Sequence, residues 1–259
     1  MPFVCRKGGH YGSVVIDLHT HVLPGIDDGA RSLADARALA MAAAGEGVSV
    51  LAATPHVRDD YPTTADEMEE AVAMVRADFT AQGIPVEVLH GAEVDLSLLW
   101  AIPPEELRRL TLAQTGRYLL LEFPYRGWPF ALDSAVSRLV QLGVTPLLAH
   151  PERNPEVQDR PDRVGALVDS GALVQVTAAS LEGVRDRAAQ AAALRLLELG
   201  LVHVLASDSH GPHISREGLG SVARSMRDPA LARYLTVEVP GAIVAGEPVP
   251  ERPSVQLGA

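Results

Sequence analysis

The stretch VVIDLHTHVLPGIDDGA, residues 14–30, starts as an aliphatic run and ends in two histidines one residue apart, followed by two aspartates and a glycine. Imidazoles and carboxylates set so closely can hold a divalent cation, stabilise an anion or move protons. The pattern recurs. Other apolar runs end in His56 (VSVLAATPH, 48–56), Glu93 (PVEVLHGAE, 85–93), Glu122 (YLLLEF, 118–123), His150 (VTPLLAH, 144–150) and the pair Asp208 and His210 (LVHVLASDSH, 201–210). Only LVQVTAAS, 173–180, lacks such a group at its end. Residues i and i+2 of a strand face the same side, about 7 Å apart, so His19 with His21, and Asp208 with His210, can each reach one ion or two neighbouring ions. GIDDGA follows the first run closely enough for Asp27 or Asp28 to fold back over it. Each signal alone is weak, since a lone His-x-His is more often packing or chance. Together they are hard to account for by packing, because buried unpaired charge is expensive.

The donor set is imidazole and carboxylate without thiolate. It suits manganese, iron(II) or zinc at a catalytic site better than a cysteine-built structural zinc. Eight or nine ligands exceed the needs of one ion, so two or three divalent ions sharing bridging carboxylates are expected. Arg153, in AHPER just past His150, brings a guanidinium to the same place. An anion between the arginine and the ions would relieve the repulsion, and phosphate fits a planar fork on one side and metal on the other. The plainer alternative is an ion pair with Glu152 or a neighbouring carboxylate. Arg58, after TPHV, and Arg126, after LEFPY, are weaker candidates for the rim. Asp17, His90 and His203 lie inside the runs and read as structural or supporting groups; His10 and His213 read as solvent-facing.

The elements that must position these groups follow from periodicity. Near-continuous apolar runs of this length fit parallel strands buried on both faces. Between them lie amphipathic stretches at 32–47, 63–83, 130–143, 161–171 and 185–200. Ser32 with Asp35 resembles a capping box, and acids open the second stretch, where the helix dipole favours them. The segment 96–111 reads as a short helix plus loop. Strand and helix alternate about seven times, which predicts an α/β protein, a distorted seven-stranded (β/α)7 TIM-like barrel more than an open sheet. In such a barrel the functional site lies at the C-terminal strand ends. The expected organisation is a leader over 1–13, one barrel domain over 14–245 and a proline-rich tail over 246–259, the stretch from 238 onward packing on the outside or fraying.

Composition narrows the chemistry. The chain has 259 residues and a formal net charge of -11, and so repels a phosphate backbone; nucleic acid is not an expected partner. The one cysteine, Cys5, has Tyr11 rather than arginine six residues on, so the thiolate-plus-arginine loop of cysteine-dependent phosphatases is absent. The one lysine, Lys7, excludes a phosphate-binding loop ending in Gly-Lys-Ser/Thr and leaves no good Schiff-base candidate. No run reaches 18 apolar residues and the first residues lack a signal-peptide core, so a cytoplasmic protein without membrane insertion is expected.

The motifs DLHTHVLPGIDDG, TPHV, GAE, LEFP, LAHPER and ASDSH occur in the order of the polymerase-and-histidinol-phosphatase (PHP) superfamily. Within it, DDG and AHPER resemble the bacterial capsular and exopolysaccharide tyrosine-protein phosphatases, over about residues 14–245. The resemblance implies a PHP barrel with three metals, often manganese. His19, His21, Glu93 and Asp208 would hold the first; Glu93 would bridge to a second completed by Glu122 and His150; Asp28, His56 and His210 would hold the third. Arg153 would bind the transferring phosphoryl group, and Asp208 or a nearby histidine would move protons. The implied substrate is phosphotyrosine on the tail of a bacterial tyrosine kinase controlling polysaccharide export. Rival readings are a histidinol-phosphatase-like enzyme on the same site and a metal-dependent amidohydrolase. Many of the latter bridge their metals with a carboxylated lysine, which this chain lacks beyond Lys7. A non-catalytic protein keeping structural metals is a third.

Overall fold

A computed structural model describes residues 14–183, 186–211 and 218–253; Cys5, Lys7, His10 and His213 lie outside them. Among the described residues, nine strand segments run parallel in two sheets. β1 (Val15–Thr20), β2 (Val48–Ala53) and β4 (Glu87–Leu89) form one, in the order β1-β2-β4. The second has the order β3-β5-β6-β7-β8-β9: β3 (His56–Val57), β5 (Glu93–Asp95), β6 (Tyr118–Glu122), β7 (Thr145–Ala149), β8 (Leu173–Thr177) and β9 (Val204–Ala206). All pairings within the sheets are parallel.

Each of the seven apolar runs carries strand, but two of them are broken. The second splits at Thr54 and Pro55, where proline offers no N–H to a ladder. The third splits at His90–Ala92, where Gly91 packs so closely on Leu112 and Thr54 that a Cβ would sit 3.0 and 3.1 Å from their side chains. The halves after each break, β3 and β5, move into the larger sheet. β1 meets β9 through a bridge between Thr20 and Ser209, with Asp208 N–H donating to His19 O at 2.9 Å and His21 N–H to Ser209 O at 2.9 Å.

The helices fall where amphipathic spacing places them. Leu33–Gly45 is capped by Ser32, whose hydroxyl accepts from Asp35 N–H at 3.2 Å. Ala65–Gln82 opens on a full capping box, Thr64 with Glu67, and buries Met68, Val72, Val75 and Phe79 on one stripe. Leu132–Gln141, Arg163–Asp169 and Arg187–Glu198 follow the same plan. The segment 96–111 holds a short turn of helix at Leu96–Leu98 and a helix at Pro104–Arg109. Of the proline- and glycine-rich stretch from 238, the described part, 238–253, packs against the fold. Val239–Ala245 is a helix with Val239 and Ile243 fully buried, and Pro240 sits in its first turn, where no N–H is needed. Arg252 then donates to Val202 O and Leu197 O at 2.9 and 3.0 Å. No helix among the described residues is long and apolar enough to cross a membrane.

Candidate metal centre

β1 is buried along nearly its whole length. His19 near its end and His21 just past it both turn to the cluster, while Asp17 faces β9. The C-terminal strand ends then converge. Nine side chains, His19, His21, Asp28, His56, Glu93, Glu122, His150, Asp208 and His210, form overlapping groups whose donor atoms lie within 4.8 Å of one another, each group able to hold a metal ion. Eight of them are the groups expected at the strand ends; the ninth, Asp28, comes from the loop after the first run, where the sequence leaves Asp27 or Asp28 open and the family resemblance implies Asp28. Glu93 sits at the centre, its Oε2 3.2 Å from His19 Nε2, 3.6 Å from His21 Nε2 and 3.1 Å from His56 Nδ1, and its Oε1 2.9 Å from His150 Nε2. Asp208 Oδ1 lies 3.2 Å from His19 Nε2 and 3.3 Å from His21 Nε2. Asp28 Oδ1 faces His56 Nε2 at 3.5 Å and His210 Nε2 at 3.3 Å.

The imidazoles are aimed by groups behind them. His21 Nδ1 is held at 2.6 Å by Asp27 Oδ2, which also accepts from His56 N–H at 3.2 Å. Asp27 is therefore the aspartate behind the histidine and Asp28 the one facing it. The turn between them needs its glycine: a Cβ on Gly29 would lie 2.2 Å from the His21 carbonyl oxygen. His19 Nδ1 is 3.1 Å from Gln175 Oε1, which also accepts from His150 N–H at 3.3 Å. An amide oxygen only accepts, so Nδ1 of His19 carries a proton and Nε2 is the nitrogen turned to the centre. His210 Nδ1 likewise reaches Asp208 O at 3.1 Å, leaving Nε2 for Asp28.

Carboxylates and imidazoles of the cluster shift one another's protonation. Burial works against charge on His19 and His21, yet facing carboxylates (Glu93 and Asp208 for His19, Asp208 and Asp27 for His21) hold both pKa values above the ordinary imidazole range. Burial alone would raise Glu93 and Asp208; the histidines, with Arg153 at Asp208, press both well below the usual carboxylate range. Glu122 is raised by burial and by the charge on Glu93. Glu93 Oε2, Glu122 Oε2, His56 Nδ1 and His150 Nδ1 are buried with no hydrogen-bond partner. Buried polar atoms left without a partner are costly, and carboxylate oxygens and imidazole nitrogens converging on one place fit divalent cations. His150 and Asp208 also adopt left-handed backbone, φ 37° and 54°, at the ends of β7 and β9, a strain tolerated where it aims a functional group. Asp17, by contrast, accepts from the backbone N–H of His19 and Ser207 at 3.3 and 3.0 Å, pinning β1 to β9, and burial lifts it to about 6.

The sequence matches the family described as "Capsular polysaccharide synthesis, CpsB/CapC" over residues 15–233. The chain belongs to the CpsB/CapC family. It is 35% identical over 199 residues to the tyrosine-protein phosphatase YwqE of Bacillus subtilis (strain 168), covering 76% of this chain and 77% of that protein. To the tyrosine-protein phosphatase CpsB of Streptococcus pneumoniae it is 28% identical over 202 residues, covering 76% and 83%. A solved structure from work on YwqE of Bacillus subtilis and CpsB of Streptococcus pneumoniae, called there unique metal-dependent tyrosine phosphatases, superposes with a TM-score of 0.79 at 30% identity, covering 90% of this chain and 96% of that one.

The rim of this CpsB/CapC chain carries three arginines of different standing. Arg153 Nη1 pairs with Asp208 Oδ2 at 2.6 Å, so the carboxylate partner weighed from sequence is Asp208 rather than Glu152. Arg58 is engaged by Asp60 at 2.7 Å and by Glu122 Oε1 at 3.3 Å. Arg126 is exposed and holds no ion pair among the described residues. Three contributors carry no signal in the sequence strong enough to single them out. Gln175 is an amide inside an apolar run, with no signature but its polarity. Tyr61 stacks on His56 at 5.8 Å and borders a groove of about 640 Å³ that includes Ile26, Pro62, Glu70 and Met74. Tyr125 stacks on His150 at 5.6 Å, and burial raises its phenol pKa against the pull of Arg153. His90 and His203 stay outside the cluster, both lowered by burial.

Proposed function

We propose that this chain is a metal-dependent protein-tyrosine phosphatase of capsular or exopolysaccharide synthesis, acting in the cytoplasm on the phosphotyrosine-bearing tail of a bacterial tyrosine kinase. The observation that carries it is the knot of buried, partnerless carboxylate and imidazole atoms beside Arg153, in a family whose relatives bear that activity in their names. We read the two parallel sheets as one distorted seven-stranded barrel, and the nine side chains as ligands of two or three ions, manganese first. His19, His21, Glu93 and Asp208 would hold one, Glu93, Glu122 and His150 a second, and Asp28, His56 and His210 a third. When bound, such ions screen phosphoryl charge and lower the pKa of water toward about 7.

The chain's own residues do the rest. Arg153 keeps guanidinium nitrogens beyond the one on Asp208, and these bind phosphoryl oxygens and stabilise the charge that grows on them. Asp27 and Gln175 hold His21 and His19 in the tautomer with Nε2 free. With no cysteine-arginine loop for a covalent route, water attacks phosphorus directly, opposite the leaving phenolate. Proton transfer falls to Asp208 or a neighbouring imidazole.

The test is phosphate release by manganese-loaded protein from a phosphotyrosine peptide and from histidinol phosphate, with His19→Ala and chelator-treated protein alongside. Release from the peptide, lost in both controls, is expected. Release only from histidinol phosphate would move the function to a small phosphoester. No release from either by metal-loaded protein would sink the phosphatase reading.

A further inference from the structure

The loop after β6, FPYRGWPFA, presents an aromatic ring at the mouth and is built not to let it retreat. Asn154 Nδ2 donates to Pro124 O at 2.6 Å and to Gly127 O at 2.9 Å, clasping the chain on both sides of Tyr125. Phe123, 1% exposed, meets Trp128 edge-on at 5.8 Å, and the Arg163 guanidinium caps Trp128 at 4.0 Å. Between these anchors Tyr125 stands 49% exposed, with its ring stacked at 24° on His150. A large ring held half in water by its neighbours forgoes burial worth on the order of 1–3 kcal/mol. Arg153, the anion-binding candidate, lies close enough to bear on its phenol. A phosphoester whose phosphoryl group meets Arg153 must therefore carry its alcohol side past this ring.

We infer that Tyr125 is a specificity-determining residue that recognises the ring of an aromatic phosphoester, with Asn154 as its positioning residue. The inference rests on the phosphatase reading. Offset or edge-on aromatic contact favours an aryl group over an alkyl group of like reach, by about tenfold once the covered area is added. The phosphoryl contacts are shared by both kinds of ester, so Tyr125 sets the choice between them and not the chemistry.

The experiment uses manganese-loaded full-length protein turning over a phosphotyrosine peptide, with phenylphosphonate and propylphosphonate as competing inhibitors. Wild type is expected to bind phenylphosphonate about tenfold more tightly than propylphosphonate. Tyr125→Ala should erase that difference and raise KM for the peptide with little change in kcat; Tyr125→Phe should restore both. Phe130→Ala removes a fully exposed aromatic of the same loop, 103% exposed, and should leave the ratio unchanged. Equal binding of the two phosphonates by wild type would overturn the inference, as would Tyr125→Ala weakening both in proportion. Absence of peptide turnover by wild type would overturn the phosphatase reading and this inference with it. Turnover with an unchanged ratio would overturn the inference alone.

Discussion

The two ends of the same strands are built to different rules. At their start, His203, Arg252 and Tyr118 are paired. His203, just ahead of β9, donates its N–H to Val174 O at 2.9 Å and accepts Val174 N–H on Nδ1 at 3.2 Å. Arg252 is used up by two backbone carbonyls, and the Tyr118 hydroxyl donates to Glu247 O at 2.6 Å. At their finish, four buried polar atoms of the cluster have no partner and two non-glycine residues hold left-handed backbone. One end is closed for stability; the other keeps atoms free at an expense of about 1–3 kcal/mol for each unsatisfied group. Changes at the finish should thus damage binding and turnover while sparing the fold, and changes at the start should do the reverse.

The largest expected effect is at Arg153. Its truncation to alanine should lower kcat on a phosphotyrosine peptide about 10²- to 10³-fold, the usual loss for a preorganised charge-stabilising donor, with the urea midpoint little changed. A similar loss from Arg58→Ala, or a large fall in the stability of Arg153→Ala, would break the contrast.

Next comes Gln175. Leucine there removes the acceptor that fixes the His19 tautomer and should weaken manganese binding about 10- to 100-fold by calorimetric titration of chelator-treated protein. The same change deletes the buried Nε2, which has no partner, but strands the His150 N–H that Oε1 accepts; the two effects oppose each other, so the urea midpoint of the metal-free variant should shift little. Destabilised metal-free protein with unchanged metal affinity would show that Gln175 serves the fold.

Gln175 also marks where the sequence stops being legible. Eight of the nine clustered side chains could be read from strand ends, because a charged or imidazole group closing a buried apolar run is costly unless something there binds it. A neutral amide inside such a run carries no such mark; its role depends on β8 lying beside β7 and on the side chain reaching His19 of β1. The choice between Asp27 and Asp28 was open for the same reason, since a two-residue turn decides which carboxylate faces the histidines. Alternation gave the order of strands and helices but not the breaks at Pro55 and Gly91, which shift β3 and β5 into the larger sheet. The helix at Val239–Ala245 was hidden by its proline and glycine, which count against a helix interior but not against its first turn or its end.

Arg58 should show a smaller effect than Arg153. Asp60 grips it through two nitrogens, at 2.7 and 3.3 Å, and Glu122 takes a third, so little of the fork remains for substrate. Arg58→Ala should reduce kcat/KM about tenfold or less, through the orientation of Glu122, and Arg58→Lys should not recover it, because a lysine cannot grip both carboxylates.

The smallest effect belongs to the start of the strands and concerns stability alone. Burial, with Arg252 nearby, lowers His203 from 6.5 to about 4. Its folded pKa is below its unfolded one, so the unfolded chain takes up the proton first and stability drains away as pH falls from about 7 toward 4, with nothing gained above that window. Between about pH 7 and about pH 5.5 this one group should lower the unfolding free energy by about 1 kcal/mol. His203→Asn keeps an acceptor for Val174 N–H and cannot be protonated. In urea unfolding of chelator-treated protein, wild type should lose about 1 kcal/mol more than His203→Asn over that interval. Equal losses would mean that His203 titrates alike in both states, and that the start of the strands is less tightly closed than its hydrogen bonds imply.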